Sequence, residues 1–178
     1  LTAGGLMVKS VLRLQATELG FQPASPLTPR MVLARPQDNP ARGSQFLLAL
    51  IDRLESRPGM QSGAFGSCAP VSGGCNRTSA KFPGRVLPPN SGETPIGVLW
   101  ASPRYFETMG IRLVRGRLFT PQDRAGQPKV VVVNETAART YWPGDDPNGQ
   151  RIALGQGGFG DGAEVIGIVA DVRYGAVE

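Results

Sequence analysis

The chain has 178 residues, of which 40% are apolar, with 24 glycines, 16 prolines, a net charge of +5 and no histidine. That length and apolar content exclude a disordered segment and leave room for one domain or two small lobes, built from short elements. The missing histidine removes the commonest general base, the commonest zinc ligand, and the Ser-His and Cys-His dyads together.

The chain opens Leu1-Thr2-Ala3-Gly4-Gly5-Leu6-Met7-Val8 and turns polar at Lys9. This reads either as a start within a loop or as the end of a membrane helix. No internal run reaches the roughly 18–20 apolar residues that span a bilayer. Residues 9–20 read as a helix closed by Gly20. Met31–Ala34 reads as a strand after a proline-rich stretch. Asn39-Pro40 pairs an N-cap with a first-turn proline. Phe46, Leu47, Leu50, Ile51 and Leu54 then mark one face of an amphipathic helix, ended by Pro58-Gly59. Met60–Ala69 reads as a second strand, which completes a strand–helix–strand unit.

Residues 70–95 are rich in turn formers, with a strand expected over Ala80–Val86 and a firmer one over Ile96–Ala101. Ser102-Pro103 and Thr120-Pro121-Gln122-Asp123 repeat the cap-plus-proline helix start. Tyr105, Phe106 and Met109 line one face of the first of these, and Gly110 stops it. Lys129–Val133 is β-branched and continuous, as in a strand buried on both faces. Asn134 caps a helix over Glu135–Tyr141, and strands follow at Gln150–Leu154 and Ala163–Val172. Two strand–helix–strand units around a turn-rich insertion imply an α+β fold with helices packed on a sheet.

Few motifs carry chemistry. Residues 155–160 match the dinucleotide pattern G-x-G-x-x-G, but a strand follows where the pyrophosphate-binding helix should begin, so a hairpin loop fits. No Walker-type phosphate loop is present. Asp145-Asp146 lies in P-G-D-D-P-N-G, where turn chemistry outweighs calcium binding because alternating oxygen ligands are missing. Trp100, Tyr105, Phe106, Tyr141 and Trp142 fall at core-like positions. The basic residues are scattered and not interleaved with aromatics, which argues against nucleic acid. Cys68 and Cys75 are the only cysteines. They form either a local disulfide, worth about 2 kcal/mol for so short a loop, or two unrelated thiols.

The ordered series of short phrases resembles one family. The phrases are L-x-A-x-x-L-x-x-x-S-x-x-R-L-Q at 1–15, R-P-G-M-Q-S-G-A at 57–64 and S-P-R-Y-F-E-T-M-G-I-R-L-V-R-G-R-L-F-T at 102–120. V-V-V-V-N-E-T-A-A-R-T-Y-W-P-G-D-D-P-N-G-Q-R-I at 130–152 and V-I-G-I-V-A-D-V-R at 165–173 complete it. Together they are similar to the periplasmic core domain of MacB-type and FtsX-like ABC-transporter permeases, especially the acidobacterial-type group.

The resemblance implies a two-lobed extracytoplasmic domain on the bacterial inner membrane. Residues 1–20 would be a membrane-helix exit and juxtamembrane helix, and 21–69 and 127–178 the halves of a porter-like lobe. Residues 70–126 would be a sabre-like insertion. It also implies a non-catalytic domain without a cofactor, coupled through the permease's own transmembrane helices to a separate or fused cytoplasmic ATPase that uses ATP. The transporter would be a dimer handling amphipathic cargo or a periplasmic protein. Two other functions fit the same features: a scaffold that activates an envelope hydrolase, and a stand-alone ligand-binding module. The Cys68/Cys75 pair is outside the family pattern.

Overall fold

The computed structural model describes residues 28–29, 31, 40–68, 75–85, 94–124, 126–155 and 159–172. The helix expected over 9–20 and nearly all of the strand expected over 31–34 lie outside these residues. In chain order the elements are α1 (Pro40–Glu55), β1 (Asn76–Lys81), β2 (Thr94–Val98), α2 (Tyr105–Thr108) and β3 (Leu113–Gly116). They continue with β4 (Val130–Asn134), α3 (Glu135–Tyr141), β5 (Arg151–Leu154) and β6 (Ala163–Val169).

One mixed sheet organises the molecule. β1 pairs antiparallel with β2 and with β5. β5 pairs antiparallel with the start of β6, and β3 with its end. β4 runs parallel to β6 over the whole of its length. Parallel neighbours need a crossover, which α3 and β5 supply. β6 is thus hydrogen-bonded to three other strands. Strands on either side of residue 126 share this sheet, so the lobe boundary expected there is not a break in hydrogen bonding.

Apolar side chains collect in two clusters. Ala80, Phe82, Val133, Trp142, Ile152, Leu154, Val165 and Ile168 form the larger one, with Ala137 and Ala138 of α3 against it. Tyr105, Phe106, Ile111 and Val169 form the smaller one, with Val132 against it. Alternation along β4 sends Val131 and Val133 to the first cluster and Val132 to the second. In β6 the register against β4 skips a residue, since Val131 faces Val165 and Val132 faces Gly167. That bulge lets Val165 and Ile168, three apart, reach the same cluster.

Several expectations need correcting. In place of the strand expected over Met60–Ala69, residues 60–68 form an irregular segment with a single bridge, Gly66 to Ala101, because glycine and serine give it little side chain to pack in a ladder. The strand expected over Ala80–Val86 starts and ends earlier, since Phe82 to Arg85 turn with Gly84 at φ 79°. The strand expected over Ile96–Ala101 also shifts upstream, to Thr94–Val98. Thr120–Asp123 makes one turn and stops before Gly126 and Pro128. β3 was not anticipated. Trp100 is 37% exposed, and on α1 Phe46 is 53% and Leu54 40% exposed, so none of the three belongs to the core. Trp100 follows the end of β2, and at the C-terminal end of α1 the Glu55 carboxylate accepts from the Gly63 amide at 2.8 Å and from Arg104 at 2.8 and 2.9 Å.

Candidate functional site

The densest polar constellation lies where β4 turns into α3. Asn134 is the helix N-cap, and its side-chain oxygen accepts from the Ala137 amide at 3.2 Å. Its amide nitrogen donates to Asp171, just beyond β6, at 2.7 Å. The same carboxylate accepts from the Thr136 backbone amide at 2.8 Å and the Thr136 hydroxyl at 2.7 Å. Arg139, one turn along α3, donates to it at 3.2 Å and to the Thr136 hydroxyl at 2.9 Å. A carboxylate at a helix N-terminus meets free amides and the positive end of the helix dipole. Burial opposes the ionisation of Asp171, but Thr136 and Arg139 outweigh it and hold the carboxyl below its ordinary range. The result is a clamp that joins the chain leaving β6 to the start of α3.

A second anchor follows β3. Arg117 forms a two-pronged pair with Asp123 at 2.7 and 2.9 Å, and Asp123 also accepts from the Thr120 amide at 2.7 Å and hydroxyl at 3.0 Å. The hydrogen bond from Arg117, helped by those from Thr120 and opposed by burial, holds the Asp123 carboxyl at about 2. The linkage has a definite sign. A carboxyl depressed in the folded state adds stability above its unfolded value near 3.8, and that stability is lost as pH falls through the folded value of about 2. Urea unfolding is therefore expected to show stability declining from pH 4 toward pH 2. Asp123→Asn should flatten that decline while lowering stability at pH 7.

The neighbouring acids of the P-G-D-D-P-N-G turn serve different arginines. Asp145 pairs with Arg85 at 2.9 Å and Asp146 with Arg115 at 3.0 Å, while Asp146 also caps the Asn148 amide at 3.0 Å. No group of three or more metal-ligating side chains occurs among the described residues. The glycine-rich segment joins β5 to β6, and the Leu154 and Gly162 amides both donate to the Phe159 carbonyl. Cys68 and Cys75 are bonded to each other, with Cα atoms 5.2 Å apart.

A family model for the MacB-like periplasmic core domain matches residues 25–177. The chain belongs to that family. A curated relative, the macrolide export ATP-binding/permease protein MacB of Aggregatibacter actinomycetemcomitans, is 32% identical over 72 residues, 40% of this chain and 11% of that protein. Among solved structures, the periplasmic region of MacB from Actinobacillus actinomycetemcomitans has the same fold at TM-score 0.51 and 19% identity, over 72% of this chain and 52% of that one. The extracellular domain of the noncanonic ABC-type transporter YknZ from Gram-positive bacteria aligns at TM-score 0.49 and 18% identity, over 70% of this chain and 60% of that one. The chain thus spans about half of the solved MacB region and about a tenth of the curated relative.

In this MacB-like domain the phrases at 130–139 and 165–172 meet in space, through β4–β6 pairing and the Asp171 clamp. Sequence reasoning found Asn134 as a cap but not Asp171 as its partner. The signal was an acid at the end of the apolar run Val165–Ala170. No helix among the described residues is long and apolar enough to cross a membrane.

Proposed function

We propose that this domain is the extracytoplasmic part of an ABC-transporter permease on the periplasmic side of the bacterial inner membrane. It carries no catalytic centre or cofactor of its own. It relays conformational change, driven by ATP hydrolysis in a separate or fused cytoplasmic ATPase and delivered through the permease's transmembrane helices. Two copies act together in the transporter, on amphipathic cargo or a periplasmic protein partner.

The family match over residues 25–177 carries this reading. The fold offers a physical route for it. A displacement applied to the chain beyond β6 would load a strand bonded to β3, β4 and β5 at once. The Asp171 clamp would pass the same displacement to α3, so sheet and helix would move as one body. The test is made in the full-length permease with its ATPase. A spin label on exposed Gln127 in each copy should report a label-to-label distance that changes between nucleotide-free and ATP-bound states. Asp171→Ala should retain most of the ATPase activity while reducing that change.

A further inference from the structure

The disulfide occupies a particular place in the connectivity. α1 leads into the irregular segment 60–68, which has no ladder of its own and lies along residues 99–102. Ser67 donates its amide to the Trp100 carbonyl at 2.8 Å, and the Trp100 amide donates to the Ser67 hydroxyl at 3.0 Å. Two residues on, the Ser102 amide donates to the Phe65 carbonyl and the Phe65 amide to the Ser102 hydroxyl, both at 2.9 Å. Gly66 lies against the Tyr105 ring, where a Cβ would come within 2.6 Å of Cε2. This seam of short contacts holds the segment on one side. On the other side the chain reaches β1 through residues 69–74, and the Cys68–Cys75 bond bypasses them.

Cys75 directly precedes β1, which pairs with β2, and β2 runs on to residues 99–102. The bond therefore closes a ring made of segment 60–68, β1, β2 and the seam. Opening it leaves segment 60–68 held by the seam, by the Gly63 amide on Glu55 and by Ala64 against the smaller apolar cluster, with no strand ladder. Such a segment falls at the low end of local stability. Both cysteines are half-buried, so each keeps some surface open to solvent.

We propose that Cys68–Cys75 is a redox-controlled latch that fixes segment 60–68, and with it the C-terminal end of α1, to the β1–β2 pair. Closing the latch takes two electrons and two protons from the two thiols. The acceptor is a protein disulfide of more oxidising potential. One cysteine thiolate attacks that disulfide to form a mixed disulfide, and the other displaces the acceptor, which leaves as a dithiol. Reduction by a dithiol runs the same steps backward. The contact released includes the Glu55 carboxylate, which holds Gly63 and Arg104 together. The latch thus acts on the C-terminal end of α1, where Glu55 accepts from Gly63 and pairs with Arg104.

Amide hydrogen exchange of the whole chain, compared between oxidised, reduced and re-oxidised samples, tests this. Protection at Gly63, Phe65, Ser67 and Ser102 should fall about tenfold on reduction and return on re-oxidation. Amides of β4 and β6 should be unchanged and so report that the fold is intact. The double variant Cys68→Ser/Cys75→Ser should match the reduced sample without any reagent. Unchanged protection at those amides would overturn the latch, as would two free thiols in protein recovered from an oxidising compartment. Loss of protection in β4 and β6 as well would also overturn it, because the bond would then staple the whole fold.

Discussion

Gly167→Ala is expected to destabilise the domain by about 3 kcal/mol or more, among the larger effects open to a single methyl group. Gly167 lies opposite Gly116 across β3–β6 and opposite Val132 across β4–β6. A Cβ there would fall on the Arg117 carbonyl oxygen, well inside contact distance, with the Arg117 backbone carbon and nitrogen directly behind. Backbone cannot swing aside as a side-chain tip can, so one of the two strands must move. Moving β3 costs the bond from the Arg117 amide to the Ile166 carbonyl at 2.9 Å and disturbs the Arg117–Asp123 pair. Gly116 is closed from the other side, with φ 77° and the Ile166 carbonyl oxygen in the way. Gly97→Ala is the matched control, since nothing lies within 4 Å of its Cβ. Calorimetry should place Gly167→Ala about 6–12 °C below the parent, with Gly97→Ala within a degree or two of it.

Trp142→Ala should cost about 3–5 kcal/mol, the range for removing a large aromatic from a packed core. Trp142 is 2% exposed and is the largest fully buried side chain among the described residues. It meets Phe82 edge-on at 5.0 Å, while Phe82 stacks on Tyr141 at 4.3 Å. Its loss therefore opens a cavity and also removes one wall of an aromatic trio that joins α3 to β1. Trp142→Phe keeps a ring in place and should recover more than half of the loss. The comparison is made by urea unfolding, where an unchanged slope shows that the folded ensemble has stayed compact.

Much of the second half of the chain was legible in its sequence, and the reasons are local. Val130–Val133 has side chains that favour a pleated surface, Asn134 has the cap chemistry, and Pro143-Gly144 supplies the stop. These three signals agree, and α3 matches the expected Glu135–Tyr141. Segment 60–68 gave the opposite lesson. Its run of small residues imitated a strand, but its contacts to residues 99–102 use Ser67 and Ser102 hydroxyls that no periodicity reveals. β3 was missed because Arg112, Leu113, Val114 and Arg115 carry no consistent face, and the whole strand is exposed.

The candidate site was legible only in part. Asp171 lies 35 residues from Thr136, and a pairing at that distance depends on β6 lying beside β4, which is a tertiary fact. The phrase S-P-R-Y-F-E-T-M-G-I-R-L-V-R-G-R-L-F-T served to mark the family, yet nearly every distinctive residue in it has structural work. Ser102 holds segment 60–68, Arg104 holds α1 through Glu55, Gly110 takes a positive φ of 66°, and Arg117 holds Asp123. Its specificity comes from packing and anchorage.

The proposed function requires this domain to move with nucleotide in a cytoplasmic ATPase. The direct measurement is the distance between spin labels at Gln127 in the two copies of the full-length permease, with and without ATP. Two different distance distributions are expected, one for each nucleotide state, with a reduced difference in Asp171→Ala despite retained ATPase activity. A single distribution, unchanged by nucleotide in the parent protein while ATP is being hydrolysed, would contradict it.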